Sequence, residues 1–118
     1  MGLSRSERLR RYREFRAVMQ RGKRVERPSL VVLWRRSDGP RQVGFAVSRQ
    51  VRGAVLRNRG RRWLREAYRA SREGLSPGVQ LVCVAREAAA RGSFEALHRD
   101  MKEALAFVAR QLRAAASP

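Results

Sequence analysis

The chain of 118 residues has one cysteine, Cys83, one histidine, His98, and only ten acidic residues. A single cysteine excludes an internal disulfide and suits a reducing compartment. One Cys and one His on different expected elements leave no nucleophile with an oriented base beside it. Zinc-ligand spacing is absent. Two-metal hydrolysis needs clustered carboxylates, yet the first 72 residues carry only Glu7, Glu14, Glu26, Asp38 and Glu66, with no close pair among them. The polypeptide alone is therefore not expected to be a hydrolase. Cys83 reads as a small buried hydrophobe within an apolar strand, and His98 as an ordinary surface residue. No apolar run approaches the ~18 residues of a membrane span, and no signal-peptide pattern opens the chain, so a cytoplasmic protein with no membrane partner is expected.

What the chain has in excess is positive charge. Its 28 Lys and Arg against 10 Asp and Glu leave a formal net charge of +18, with a pI near 11.9. The excess is concentrated: residues 1–72 hold 22 basic against 5 acidic side chains, a net of +17, and residues 73–118 hold 6 against 5, a net of +1. Self-repulsion at this charge costs stability, so a polyanionic partner bound by the first two thirds is the economical explanation. At this length the chain is one domain, 1–118.

The basic surface centres on residues 54–72, Ala-Val-Leu-Arg-Asn-Arg-Gly-Arg-Arg-Trp-Leu-Arg-Glu-Ala-Tyr-Arg-Ala-Ser-Arg. At about 100° per residue a helix here collects Leu56, Trp63, Leu64, Ala67 and Ala70 on a core face. Arg57, Arg61, Arg62, Arg65, Arg69 and Arg72 fall opposite, with Asn58 among them. A solvated helix face normally mixes signs for i,i+4 pairs, whereas Arg49 to Arg72 holds nine basic residues against Glu66 alone. Forked guanidinium donors match phosphate oxygens two at a time, so nucleic-acid binding is expected, with RNA and DNA equally open at this point.

Around this helix the pattern is α+β. Ser4 or Ser6 is positioned to cap a first helix, with Ser4 and Glu7 spaced as a capping box. That helix carries Leu9, Tyr12, Phe15 and Met19 at helical spacing and stops at Gly22. Phe15 has two readings: a core contact, or the edge of a basic groove where it stacks on a base. Gly22 to Ser29 reads as a connector or short edge strand, Leu30 to Trp34 as a strand, and Gln42 to Ser48 as another, the last two expected to pair as an antiparallel hairpin. Val79 to Ala85 forms a strand after the helix, which makes a crossover. From Ser93, an N-cap by residue type, a terminal helix places Phe94, Leu97, Met101, Leu105, Val108 and Leu112 on one stripe against the sheet.

The block Ala54-Val-x-Arg57-Asn58-Arg59-x-Arg61-Arg62-x-x-Arg65-Glu resembles the signature helix of the protein subunit of bacterial ribonuclease P. Arg10, Phe15 and Val18 resemble the family's first helix, and Val43-Gly-x-x-Val47-Ser48 the strand before the signature. The resemblance implies a two-layer αβββαβα sandwich with a four-stranded mixed sheet and a left-handed βαβ crossover, similar to the second domain of ribosomal protein S5. The fourth strand would lie near Arg24 to Arg27. It further implies that the chain binds the catalytic RNA of ribonuclease P and the single-stranded 5′ leader of precursor tRNA. In such a ribonucleoprotein endonuclease the RNA, with Mg²⁺ held mainly by the RNA, performs the hydrolysis. By matching position, contact with the catalytic RNA falls to Arg57, Asn58, Arg59, Arg61, Arg62, Arg65 and Arg69. The leader cleft would involve Phe15, Met19, Leu33, Arg49 and Gln50. Here the chain departs from the family: Met19 and Leu33 stand where relatives have cleft aromatics, and Arg49 and Gln50 where they often have lysines. Leader contacts are thus expected to rest more on backbone charge than on base stacking. The alternatives are a basic ribosomal-type module and a DNA-binding protein; against the latter, the arginines span too broad an arc for groove readout and no short helix precedes them.

Overall fold

The computed structural model describes residue 3 and residues 5–116. After a turn of 3₁₀ helix at Arg5–Glu7 come α1 (Tyr12–Arg21), β1 (Lys23–Glu26), β2 (Leu30–Arg36) and β3 (Gln42–Val47). Then follow α2 (Ala54–Ser71), β4 (Val79–Ala85), a short α3 (Glu87–Arg91) and α4 (Phe94–Ala116). The architecture is an α+β sandwich in the expected order, with α3 added. The proposed cap at Ser4 lies outside the described residues, and α1 begins after Arg11, whose side chain makes no cap.

The four strands form one mixed sheet in the order β1-β2-β4-β3. β1 and β2 are antiparallel, as are β2 and β4, and β3 runs parallel to β4. The hairpin expected between β2 and β3 is therefore corrected: β4 lies between them, with Leu33 opposite Val82 and Gly44 opposite the same residue on the other side. The reason is burial. Every residue of β4 except Val84 is buried, so the strand needs cover on both faces and partners on both edges. The crossover through α2 brings β3 alongside it.

Alternation divides the sheet's side chains. Val32, Trp34, Val43, Val47, Leu81 and Cys83 join α2 and α4 in the larger core, while Val31, Leu33 and Val82 meet Leu9 and Val18 beneath α1. The α4 stripe is buried as expected at Leu97, Met101, Leu105, Val108 and Leu112, and Ser93 Oγ accepts the Ala96 N–H at 3.1 Å. A carboxylate within this stripe was not anticipated. Asp100 is buried and accepts both the N–H (3.0 Å) and the hydroxyl (2.6 Å) of Ser29, pinning α4 to the β1–β2 turn.

The apolar spacing on α1 does not make a buried stripe. Tyr12 is 73% exposed and Met19 40%, while the side chains that seat the helix are Val18 and, partly, Phe15, with Leu9 just before it. α1 crosses only part of its sheet face, so apolar side chains at its rim need no cover. Gly22 does end the helix, donating its N–H to Val18 O at 2.9 Å; a Cβ there would lie 2.5 Å from that oxygen, so only glycine fits.

Candidate nucleic-acid interface

The seat of α2 on the sheet is made by Gly60, Leu64, Ala67 and Tyr68. A Cβ on Gly60 would stand 3.3 Å from Val47 Cγ2 and 3.6 Å from Ala85 Cβ, so the helix approaches the sheet most closely where it has no side chain. The expected core face is thereby turned by roughly 60°. Leu64 and Ala67 are buried as anticipated, but Leu56 and Ala70 are exposed, and Trp63 packs laterally against Phe94 with ring centroids 6.0 Å apart. The spacing 60, 64, 67, 68 was present in the sequence, hidden by a glycine that carries no hydrophobicity.

This rotation sorts the basic side chains of the helix. Arg57 points inward: one nitrogen donates to the carbonyls of Ser48 (2.8 Å) and Val51 (2.9 Å), the other to Val47 (3.2 Å). It thereby clamps the loop that leads out of β3. Arg59 donates to Ala90 O at 2.7 Å and lies over the Trp63 ring, 4.6 Å from its centroid. Arg72 leaves the outer face altogether to pair with Glu7. Asn58, Arg62, Arg65 and Arg69 are exposed, and half-buried Arg61 donates to Asn58 Oδ1 at 3.1 Å. Glu66, the acidic residue within the helix, is 3.9 Å from Arg62 in a solvent-exposed i,i+4 pair of little strength.

Asn58, Arg61, Arg65 and Arg69 share the flank of α2 that faces the edge strand β3. Arg65 lines a notch of about 330 Å³ with Arg8, Arg10, Gly44 and Phe45. Here the chain entering α1 is stitched to β3 by the Leu9 N–H on Val43 O at 3.0 Å. The arginine flank thus borders the sheet edge directly.

On the other side of β3 lies the face that α1 leaves partly open. Val18 points at the sheet, which puts Tyr12, Phe15 and Met19 on one flank of α1 and Arg13, Ala17 and Arg21 on the other. The Phe15 ring rests over Gly44: a Cβ there would be 3.1 Å from two ring carbons. The open half-face beyond is a groove of about 600 Å³ whose lining includes Arg24, Val31, Ser48, Gln50, Val84 and Arg86. Of the expected cleft residues, Phe15 is half-buried at the border, Met19 is exposed, and Gln50 lines the groove. Arg49 is exposed in the same loop, whereas Leu33 is 7% exposed beneath α1 and serves as floor.

Behind this surface a buried ionic cluster holds the N-terminal segment. Glu7 accepts the hydroxyl of Tyr68 (2.8 Å) and Nε of Arg41 (2.9 Å) and pairs with Arg72. Burial alone would raise its pKa; the hydrogen bonds from Tyr68 and Arg41 and the charges of Arg41 and Arg72 outweigh that and hold it below the ordinary carboxylate range. The same burial, with the Glu7 carboxylate, pushes the Tyr68 phenol upward. The sequence offered Glu7 only as a helix-cap partner, and nothing in its spacing tied it to Tyr68, 61 positions away.

The remaining chemistry is inert. Cys83 is buried, and burial pushes its thiol up to about 12. His98 departs from expectation: it is half-buried and stacked on Phe94, ring centroids 5.6 Å apart. Among the described residues no three His, Cys, Asp or Glu converge to hold a metal ion, and no helix is long and apolar enough to cross a membrane.

Residues 3–109 match the protein family described as Ribonuclease P. The ribonuclease P protein component of Gluconacetobacter diazotrophicus is 41% identical over 104 residues, spanning 86% of this chain and 90% of the relative. That of Acidothermus cellulolyticus is 44% identical over 93 residues, 76% of this chain and 78% of the relative. Among solved structures, the RNase P protein from Thermotoga maritima in complex with 1-(4-fluorophenyl)-2-thiourea is similar with a TM-score of 0.72 at 26% identity, covering 82% of this chain and 95% of that one. A Staphylococcus aureus RNase P protein mutant with defective mRNA degradation activity is similar with a TM-score of 0.76 over 86% of this chain and 87% of its own; at 21% identity that likeness is one of fold.

Proposed function

The chain belongs to the ribonuclease P protein family, and from that premise we propose that it is the RNA-binding subunit of a cytoplasmic ribonucleoprotein that removes the 5′ leader of precursor tRNA. In this reading the α2 flank bearing Asn58, Arg61, Arg62, Arg65 and Arg69 meets the catalytic ribonuclease P RNA. The single-stranded leader lies in the cleft beside Phe15 and Met19, over the floor that includes Leu33, with Arg49 and Gln50 at its mouth. Arg57 and Arg59 act differently: both terminal nitrogens of Arg57 and one of Arg59 donate to backbone carbonyls, so they hold the surface in place. Hydrolysis is assigned to the RNA and its Mg²⁺ ions. What this chain supplies is positive charge that offsets phosphate repulsion and a fixed border between the two RNA strands.

The observation that carries the reading is the placement of an acid-poor arginine flank and a half-open sheet face on either side of one edge strand. The test is multiple-turnover cleavage of a precursor tRNA by bacterial ribonuclease P RNA at low Mg²⁺. It compares no protein, the wild type, and the variant Arg61→Ala/Arg65→Ala/Arg69→Ala. Strong stimulation by the wild type and its loss in the variant are expected, with the slope of log affinity against log salt shallower by about 2 if the three arginines meet single-stranded phosphates. A folded wild type that binds ribosomal RNA and leaves cleavage unchanged would instead identify a ribosomal-type module.

A further inference from the structure

α1 divides the face it crosses into two grooves, and the one away from Phe15 is the more basic. It encloses about 640 Å³, and its lining includes Tyr12, Arg13, Glu14, Arg16, Arg21 and Arg35. Four arginines against one glutamate is an imbalance that an ordinary solvated helix flank avoids by mixing signs. The glutamate does little to correct it. Glu14 is half-buried and accepts Nε2 of Gln80 at 3.3 Å, so its carboxylate is drawn toward the sheet. Among the described residues no carboxylate forms an ion pair with Arg13, Arg16, Arg21 or Arg35.

The groove also has a built element. Gln80 is 4% exposed, and while its Nε2 serves Glu14 and Gln42, its Oε1 accepts Nε of Arg35 at 2.9 Å. That bond fixes the plane of the Arg35 guanidinium and leaves its terminal nitrogens for a ligand, so less side-chain freedom is lost on binding. Tyr12 stands on the ridge between the grooves, with the Arg16 guanidinium 5.7 Å from its ring centroid.

We propose that this second groove binds the phosphate backbone of an RNA segment distinct from the one in the Phe15 cleft. The inference rests on the RNA-binding reading above and extends it. The two grooves are separated by one helix, about 10 Å across. A strand lying in the cleft therefore does not neutralise the far flank, and α1 is gripped between two stretches of RNA. The segment can come from the catalytic RNA or from the precursor; both offer the same phosphate chemistry.

The variant Arg13→Gln/Arg21→Gln tests this, because both side chains are exposed and neither has a protein acceptor among the described residues. Affinity is measured against salt for catalytic RNA alone, and for precursor tRNA bound by the assembled ribonucleoprotein. The log–log slope should become shallower by about 1.4 if the two arginines meet single-stranded phosphates and about 1.8 if they meet a duplex. A change seen with catalytic RNA places that RNA in the groove; a change confined to the second titration places the precursor there. Unchanged slopes in both, while the α2 variant still loses RNA, overturn the second site and leave the proposed function standing. A folded wild type that binds neither RNA overturns both.

Discussion

Replacing Glu7 with glutamine removes one charge and almost no volume from the point where the N-terminal segment, β3 and α2 are tied together. Glu7 is 8% exposed, and its carboxylate takes hydrogen bonds from Tyr68 and Arg41 and an ion pair from Arg72. Hydrogen bonds to a charged group contribute about 1.5–3 kcal/mol each. The two arginine side chains are 25% and 33% exposed and can turn to water, so most of their loss is recovered, whereas the buried Tyr68 hydroxyl cannot and keeps at best the weaker, neutral amide oxygen as acceptor. The expected net loss is ~2–3 kcal/mol, or a fall in Tm of about 10 °C for a chain of this size. Urea unfolding followed by circular dichroism measures it. Because the folded pKa of Glu7 lies below its ordinary 4.5, its stabilisation is complete above that value and is lost as pH falls through the lowered one. The deficit of Glu7→Gln should therefore be constant near neutrality and shrink in acid. A variant within about 0.5 kcal/mol of the wild type at neutral pH, or a deficit indifferent to acid, would refute the assignment.

Arg57→Ala deprives the carbonyls of Val47, Ser48 and Val51 of a shared donor and should cost about 2 kcal/mol in thermal unfolding. Arg57→Lys should recover little of this, because a single ammonium cannot reproduce the fork; full recovery would show that charge alone is required. Gly44→Ala places a methyl group 3.1 Å from the Phe15 ring and should displace it. The expected result is severalfold weaker binding of leader-bearing precursor tRNA with unchanged affinity for catalytic RNA, and equal losses on both would argue against a leader role for Phe15.

Long periodic segments were legible from the sequence. α2 was expected at 54–72 and occupies Ala54–Ser71, and β4 falls on its expected residues. The α4 stripe is buried from Leu97 to Leu112, with Phe94 partly buried at its start, because a helix of 23 residues repeats its pattern often enough to fix its phase. Short or interrupted patterns misled. The helical spacing of Tyr12, Phe15 and Met19 does not by itself distinguish a buried stripe from the rim of a groove; the half-uncovered sheet beneath them decides it. The phase of α2 was misjudged because Trp63 outweighed Gly60, although close approach to the sheet depends on the residue with no side chain. Charge assignment failed in a different way: spacing tells which arc an arginine occupies, but not whether backbone carbonyls within reach will claim it. By spacing Arg57 and Arg72 fall opposite the core face, yet both are held by the protein itself.

The misplaced hairpin bears most on function. Had β2 and β3 paired, β3 would lie inside the sheet, with β4 at the edge between α2's arginines and open solvent. With β4 inserted, β3 becomes the edge, and its two sides acquire different neighbours. One side meets Arg65 and the basic chain entering α1; the other carries Gly44, whose missing side chain admits the Phe15 ring. Gly44 and Phe45 are consecutive residues that point to opposite faces, so the two surfaces are as close as a single strand permits. A charge-based reading of the sequence could identify the arginines, but their distance from the cleft is a consequence of strand order. That order follows from an apolar strand that cannot stand at an edge.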